Sequence, residues 1–176
     1  MTLSLHSMAV DTFVPMLESL SEWLDKGAAH AKANKLDLIS MRLAPDMYTL
    51  AQQVQQACHH ALDGVARLTG LEPAPMGDSE TTLPGLQAQI ASTVANLRGI
   101  HAGSFEGAEQ RDCSIAIPEH KIIAMDGSRF LRAWALPHFY FHVVTAYDIL
   151  RHSGVALGVQ DYLSQVGAFI QPKASS

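Results

Sequence analysis

The sequence predicts an all-α protein, a bundle of four long helices with a short extended or hairpin insertion between the third and fourth. Three observations lead there. Apolar residues recur three and four apart over four separate stretches of the 176-residue chain, which draws one buried stripe on each helix. Cap and stop residues stand at the expected ends of these stretches. Between residues 111 and 130 the period changes from 3.6 to two, the signature of extended chain.

The first helix carries Val10, Phe13, Leu17, Leu20 and Leu24 on one face, and Gly27 with the polar run after it is expected to weaken it. A less regular stretch leads to Ala44-Pro45-Asp46, where Pro45 disfavours helical geometry at Ala44 and Asp46 is placed to cap the next helix. The second helix presents Leu50, Val54, Ala57, Ala61, Val65 and Leu68, with Gly70 as its stop. Glu72-Pro73-Ala74-Pro75 and Gly77 then read as a rigid loop. Asp78 and Glu80 near the next helix start suit its dipole and free N–H groups. Thr81 or Thr82 can cap the third helix, which has Pro84 in its first turn and Leu83, Leu86, Ile90, Val94 and Leu97 as its stripe.

In the insertion, Cys113, Ile115 and Ile117 alternate with polar or small neighbours before Pro118-Glu119-His120, and Asp126-Gly127 reads as a tight turn. Two strands alone are marginal, so this piece is expected to lean on the bundle. The last long helix begins near Arg129 or after Pro137 and ends at His152, before Ser153-Gly154. The tail from Pro172 to Ser176 reads as frayed.

Composition narrows the function classes. A hydrophobic fraction of 48% with 16% charged residues suits one compact domain spanning residues 1–176, with enough chain for one well-buried core. The net charge of −5, from 12 Lys+Arg against 17 Asp+Glu, offers no basic stripe for phosphate backbones, so nucleic acid is not an expected partner. Cys58 and Cys113 are far apart and form neither a metal-type pair nor a disulfide framework, which fits a reducing, cytoplasmic compartment. Met1 to Val10 lacks the charged and apolar regions of a secretory leader, and no stretch is long enough to span a bilayer, so no membrane is expected.

The chemistry concentrates in Pro137-His138-Phe139-Tyr140-Phe141-His142. Histidines four apart lie on one helical face and can reach one ion, but a divalent metal usually needs a third protein ligand. On a wheel of about 100° per residue, His142 falls within the core arc of the last helix and His138 at its edge, roughly 80° from the centre. On the second helix His60 lies about 100° from the core centre and His59 about 160°, which makes His60 the candidate partner and His59 its solvent-facing neighbour. His60, His138 and His142 would then form a three-histidine site inside the bundle with a position open to water or substrate. The competing reading is that these are structural histidines, since nine histidines readily produce one such pair and the catalytic Glu of an H-E-x-x-H motif is absent. Cys58 points about 100° away from His59 and reads as a small core thiol. Tyr140, Tyr147 and Asp148 fall outside the pocket on the same wheel.

Phe141 and Val144 are apolar on the side of the last helix opposite Ala146, so either the insertion or a second subunit is expected to cover them, and a homodimer is the favoured arrangement.

Several runs carry a resemblance: Arg42-Leu43-Ala44-Pro45-Asp46-Met47, Ala66-Arg67-Leu68-Thr69-Gly70, Asp78-Ser79-Glu80-Thr81-Thr82, and Leu136-Pro137 through Phe141-His142 to Thr145-Ala146-Tyr147, Ile149-Leu150-Arg151-His152 and Gly154. Over nearly its whole length the chain resembles a bacterial and fungal family of unknown function within the DinB/YfiT-like metalloenzyme superfamily. The resemblance implies a DinB-like four-helix bundle, usually dimeric. It also implies a divalent metal, nickel or zinc, on one histidine of the second helix and two of an H-x-x-x-H on the last, positions held here by His60, His138 and His142. Some superfamily members act on small thiols such as bacillithiol, mycothiol or glutathione, so a small-molecule ligand is expected. The alternative is a non-catalytic dimeric helical protein.

Overall fold

The computed structural model describes residues 4–72, 81–119 and 121–170. Helix α1 runs Leu5–Asn34. Ser4 starts it by accepting the Ser7 N–H at 3.1 Å, and Lys35 ends it in the left-handed conformation with its N–H on the Ala31 carbonyl. The expected weakening at Gly27 does not occur. Gly27 is buried, and a Cβ there would stand 3.1 Å from Leu150 Cδ2, so the glycine admits the last long helix at close range. That packing outweighs the roughly 1 kcal/mol helix penalty of glycine.

Helix α2, Leu50–Thr69, starts at a different cap from the one expected. Asp46 lies in the turn that Met47 N–H closes onto the Ala44 carbonyl. The N-cap is Thr49, in a reciprocal capping box with Gln52. Gly70, at φ 72°, closes α2 as its sequence position predicts. Helix α3, Leu83–Gly99, is capped by Thr82, which accepts from the Gly85 N–H at 3.1 Å. The expected loop at residues 73–77, the carboxylates of Asp78 and Glu80, His120 and the tail at residues 172–176 lie outside the described residues.

After 3₁₀ turns at Ala102–Phe105 and Ala108–Gln110, strand β1 (Ile115–Ile117) pairs antiparallel with β2 (Lys121–Ile123), Ile115 opposite Ile123 and Ile117 opposite Lys121. The hairpin is where the period change placed it, but its turn falls at Pro118-Glu119. Asp126-Gly127 instead opens a helix. The Asp126 carboxylate accepts the Arg129 N–H at 2.7 Å, and Gly127 packs so tightly that a Cβ would stand 1.9 Å from the Ala108 carbonyl oxygen.

That helix is α4 (Gly127–Phe130), which passes through a π-helical turn at Leu131–Ala135 into α5 (Leu136–His152). Pro137 brings no N–H to the Ala133 carbonyl, and the Leu136 N–H reaches back five residues to Leu131 O. Gly154 follows the end of α5 at φ 92°.

A short helix α6 (Val159–Tyr162) and a 3₁₀ turn at Ser164–Phe169 complete the described chain. They are pinned to α1 by the Trp23 Nε1–H bond to the Asp161 carbonyl, the Lys26–Asp161 ion pair, and Trp23 stacked on Tyr162.

Packing sets the order α1, α3, α2, α5 around the bundle, with α2 most extensively against α5. One apolar cluster fills it, centred on Phe13, Leu17, Leu20, Trp23, Leu50, Leu68, Leu86, Ile90 and Phe139. Among the described residues no helix is long and apolar enough to cross a membrane. For the site, the consequence is that α2 and α5 lie side by side.

Candidate metal centre

Because α2 packs on α5, His60 faces His138 and His142. Their ring centroids are 4.9 and 5.2 Å from that of His60, with planes inclined by 16° and 8°. His142 is 6% exposed, His60 and His138 are half-buried, and His59 points to solvent as the wheel predicts.

Two of the three rings are fixed by acceptors. His142 Nδ1–H donates to Gln53 Oε1 at 2.7 Å, and His138 Nδ1–H donates to the Trp134 carbonyl at 3.0 Å. Each ring therefore carries a proton on Nδ1, which leaves Nε2 as the nitrogen that would meet a metal. Burial, reinforced by the surrounding imidazoles of His142, His138 and His59, pushes His60 down to about 4. Burial, reinforced by His138 and His59, does the same to His142. Both rings are neutral at pH 7, so protons do not compete there for their nitrogens.

The fit to a divalent ion divides into chemistry and aim. Imidazole suits zinc, nickel, copper and iron alike. With metal–nitrogen bonds of about 2.0–2.1 Å, ring centroids sit roughly 3 Å from the ion and roughly 5 Å from one another, which is the separation of His60 from each of the other two rings. As the side chains stand, though, no group of three His, Cys, Asp or Glu residues among the described residues is arranged to hold an ion. The packing of α2 on α5 supplies the spacing, and the Gln53 side chain and the Trp134 carbonyl supply the acceptors for two Nδ1–H groups. Closing a site requires the rings to turn about their side-chain torsions.

Aromatic side chains surround the cluster. Tyr48 stacks over His142 at 6.1 Å, and the Trp134 ring lies 4.4 Å from that of His138. Beside it lies an open face of the π turn and α5 formed by Ala133, Pro137, His138, Phe141 and His142. Sequence reasoning missed Gln53, Tyr48 and Trp134. Gln53 was discoverable: it lies seven residues before His60, two turns along the same face, a polar side chain in an apolar stripe.

The remaining candidates stand apart from the cluster. Cys58 is a core thiol, pushed up to about 12 mainly by burial, and is no nucleophile at neutral pH. Tyr147 packs on Trp23 and Tyr162, away from the histidines. Phe141 stays 56% exposed and Val144 38%, so the insertion does not cover that face.

The family model for a domain of unknown function, DUF1993, matches residues 5–163. The chain belongs to the DUF1993 family. It is also similar to a DinB family member protein from Shewanella denitrificans, whose crystal structure aligns with a TM-score of 0.84 at 38% sequence identity, over 98% of this chain and 96% of that one. No curated protein matches. The DUF1993 match takes in all three histidines, and the likeness to the Shewanella protein makes this an all-α DinB-like fold.

Proposed function

We propose that His60, His138 and His142 hold a divalent metal ion, nickel or zinc, in an enzyme that acts on a small molecule, a thiol among the candidates. The observation that carries this reading is the convergence of three imidazoles from two adjacent helices, two of them hydrogen-bonded through Nδ1 to Gln53 and to the Trp134 carbonyl. When bound, such an ion would polarise a ligand or lower the pKa of a coordinated water or thiol. The chain's own contribution is positional. Gln53 sets the His142 ring, the Trp134 carbonyl sets the His138 ring, and Tyr48 shields His142 from solvent on one face.

A second reading, a non-catalytic homodimer with structural histidines, draws support from the near-parallel rings and from the exposed Phe141 and Val144. Elemental analysis of protein purified without a histidine tag separates the two. The metal reading expects about one ion per chain after incubation with Zn²⁺ or Ni²⁺ and removal of excess, and none in the His142→Ala variant. An ion-free wild type at saturating metal would retire it.

A further inference from the structure

The seam between α2 and α5 runs from one contact to the next. Gln53 reaches His142, His60 stacks on both His142 and His138, and Gly64 lies opposite Ala135. Rising numbers on α2 meet falling numbers across the seam, so the helices run antiparallel and the stacked rings lie between two end contacts. Gly64 follows His60 by four residues and Ala135 precedes His138 by three, one turn from the rings on the same face of each helix. One end of the seam is a hydrogen bond between side chains. The other is a glycine against a methyl group.

Glycine inside a helix gives up more backbone entropy than alanine, so a buried one in mid-helix calls for a packing reason. A Cβ on Gly64 would stand 3.3 Å from the Ala135 Cβ and 3.6 Å from Cζ of Phe13. The distance to Phe13 is ordinary contact, and the distance to Ala135 is tighter than packed carbons prefer. Ala135 has no side-chain torsion that could carry its methyl away. Nor is there room beside it: Ala135 is 2% exposed, and Phe13 and Phe139, in edge contact at 4.8 Å, are fully buried. An added methyl would therefore have to move backbone, and close-packed interiors pass such strain to their neighbours. Those neighbours hold the site. Ala135 ends the π turn, and the carbonyl just before it, that of Trp134, accepts the His138 Nδ1–H.

We propose that Gly64 and Ala135 are positioning residues of the histidine site: their contact sets the α2–α5 separation at which the His60 ring meets His138 and His142. This rests on reading the histidine cluster as the working site, and it places part of the control of that site outside the imidazoles and their hydrogen-bond acceptors. Gln53 ties one end of the seam, and the missing side chain of Gly64 lets the other end close.

The test is a double-substitution cycle in the untagged full-length protein, with two readouts. Zn²⁺ affinity, titrated into chelator-treated protein near pH 7, should fall at least about tenfold in Gly64→Ala, as it does when support for a ligand is lost. The double variant Gly64→Ala with Ala135→Gly, which removes the opposing methyl, should return to within about threefold of wild type. Gly27→Ala crowds α5 from the α1 side, against the flexible end of Leu150, and should leave the affinity unchanged. The second readout needs no ion: in metal-free protein, NOE cross-peaks from the His60 ring to the rings of His138 and His142 should weaken in Gly64→Ala and return in the double variant. Wild-type affinity in Gly64→Ala, no rescue by Ala135→Gly, or an equal loss in Gly27→Ala would overturn the proposal. A wild type that takes up no Zn²⁺ retires the metal reading alone; unchanged ring cross-peaks in Gly64→Ala then overturn this one. If Gly64→Ala does not fold, the double variant must fold with wild-type ring signals, and a double variant that stays unfolded contradicts the proposal.

Discussion

His142 takes its orientation from a residue on another helix. Gln53 is 1% exposed, accepts the His142 Nδ1–H, and donates to the Tyr48 carbonyl at 3.4 Å, so one side chain joins α2, α5 and the loop before α2. Gln53→Leu removes the acceptor and strands a buried N–H. It should cost about 1–3 kcal/mol in urea unfolding and, on the metal reading, lower metal affinity roughly 10–100-fold in a calorimetric titration. Unchanged stability and affinity would show that His142 does not depend on Gln53. The lowered pKa values of His60 and His142 carry a second expectation. Below the ordinary value of 6.5 the unfolded chain takes up protons that the folded rings refuse until about 4. Stability should be fully present above about pH 6.5 and should fall as the pH drops toward 4, with a shallower fall in His60→Gln; a pH-independent urea midpoint across that window would contradict it. His60, His138 and His142 were legible as a set because helical periodicity fixes which residues share a face. Their orienting partners were not, because the Trp134 acceptor is a backbone carbonyl, and the Gln53 contact depends on the packing of α2 against α5.

At the scale of elements, the helix stripes and most stops were legible, since 3.6-residue periodicity, Thr82 and Gly70 act through local backbone chemistry. The misreadings have two causes: tertiary packing decides at Gly27 and Gly127, and a competing local cap decides at Thr49 and Asp126. Asp126-Gly127 has the composition of a hairpin turn, but its glycine answers to the Ala108 carbonyl oxygen and its aspartate to the Arg129 N–H. Gly127→Ala should therefore destabilise the protein by about 1–3 kcal/mol through overpacking against backbone, read as a lower urea midpoint. A neutral substitution would mean that the 3₁₀ turn at Ala108–Gln110 moves aside without cost. Thr49→Ala should cost about 1 kcal/mol, whereas Asp46→Ala, outside the cap, should change little. The π turn was also hidden. Pro137 announces a missing N–H, but whether the chain answers with a kink, a break or a wider turn depends on what surrounds it.

At the scale of the molecule, the order α1, α3, α2, α5 makes neighbours of two helices that lie far apart in sequence and brings their histidines within ring contact. Metal bound to the folded state alone should stabilise the whole chain. At an ion concentration about 100 times the Kd the gain is about 2.7 kcal/mol, or several degrees in Tm for a protein of this size. The exposed Phe141 and Val144 leave one face of α5 open to a ligand or a second copy, and the occupant decides between the two functional readings. The most direct test of the account is isothermal titration of untagged, chelator-treated protein with Zn²⁺ and Ni²⁺ near pH 7, alongside His60→Ala, His138→Ala and His142→Ala. The account predicts saturable binding of about one ion per chain that each single substitution abolishes or sharply weakens. No saturable binding in the wild type, or binding that persists when all three histidines are replaced, would contradict it.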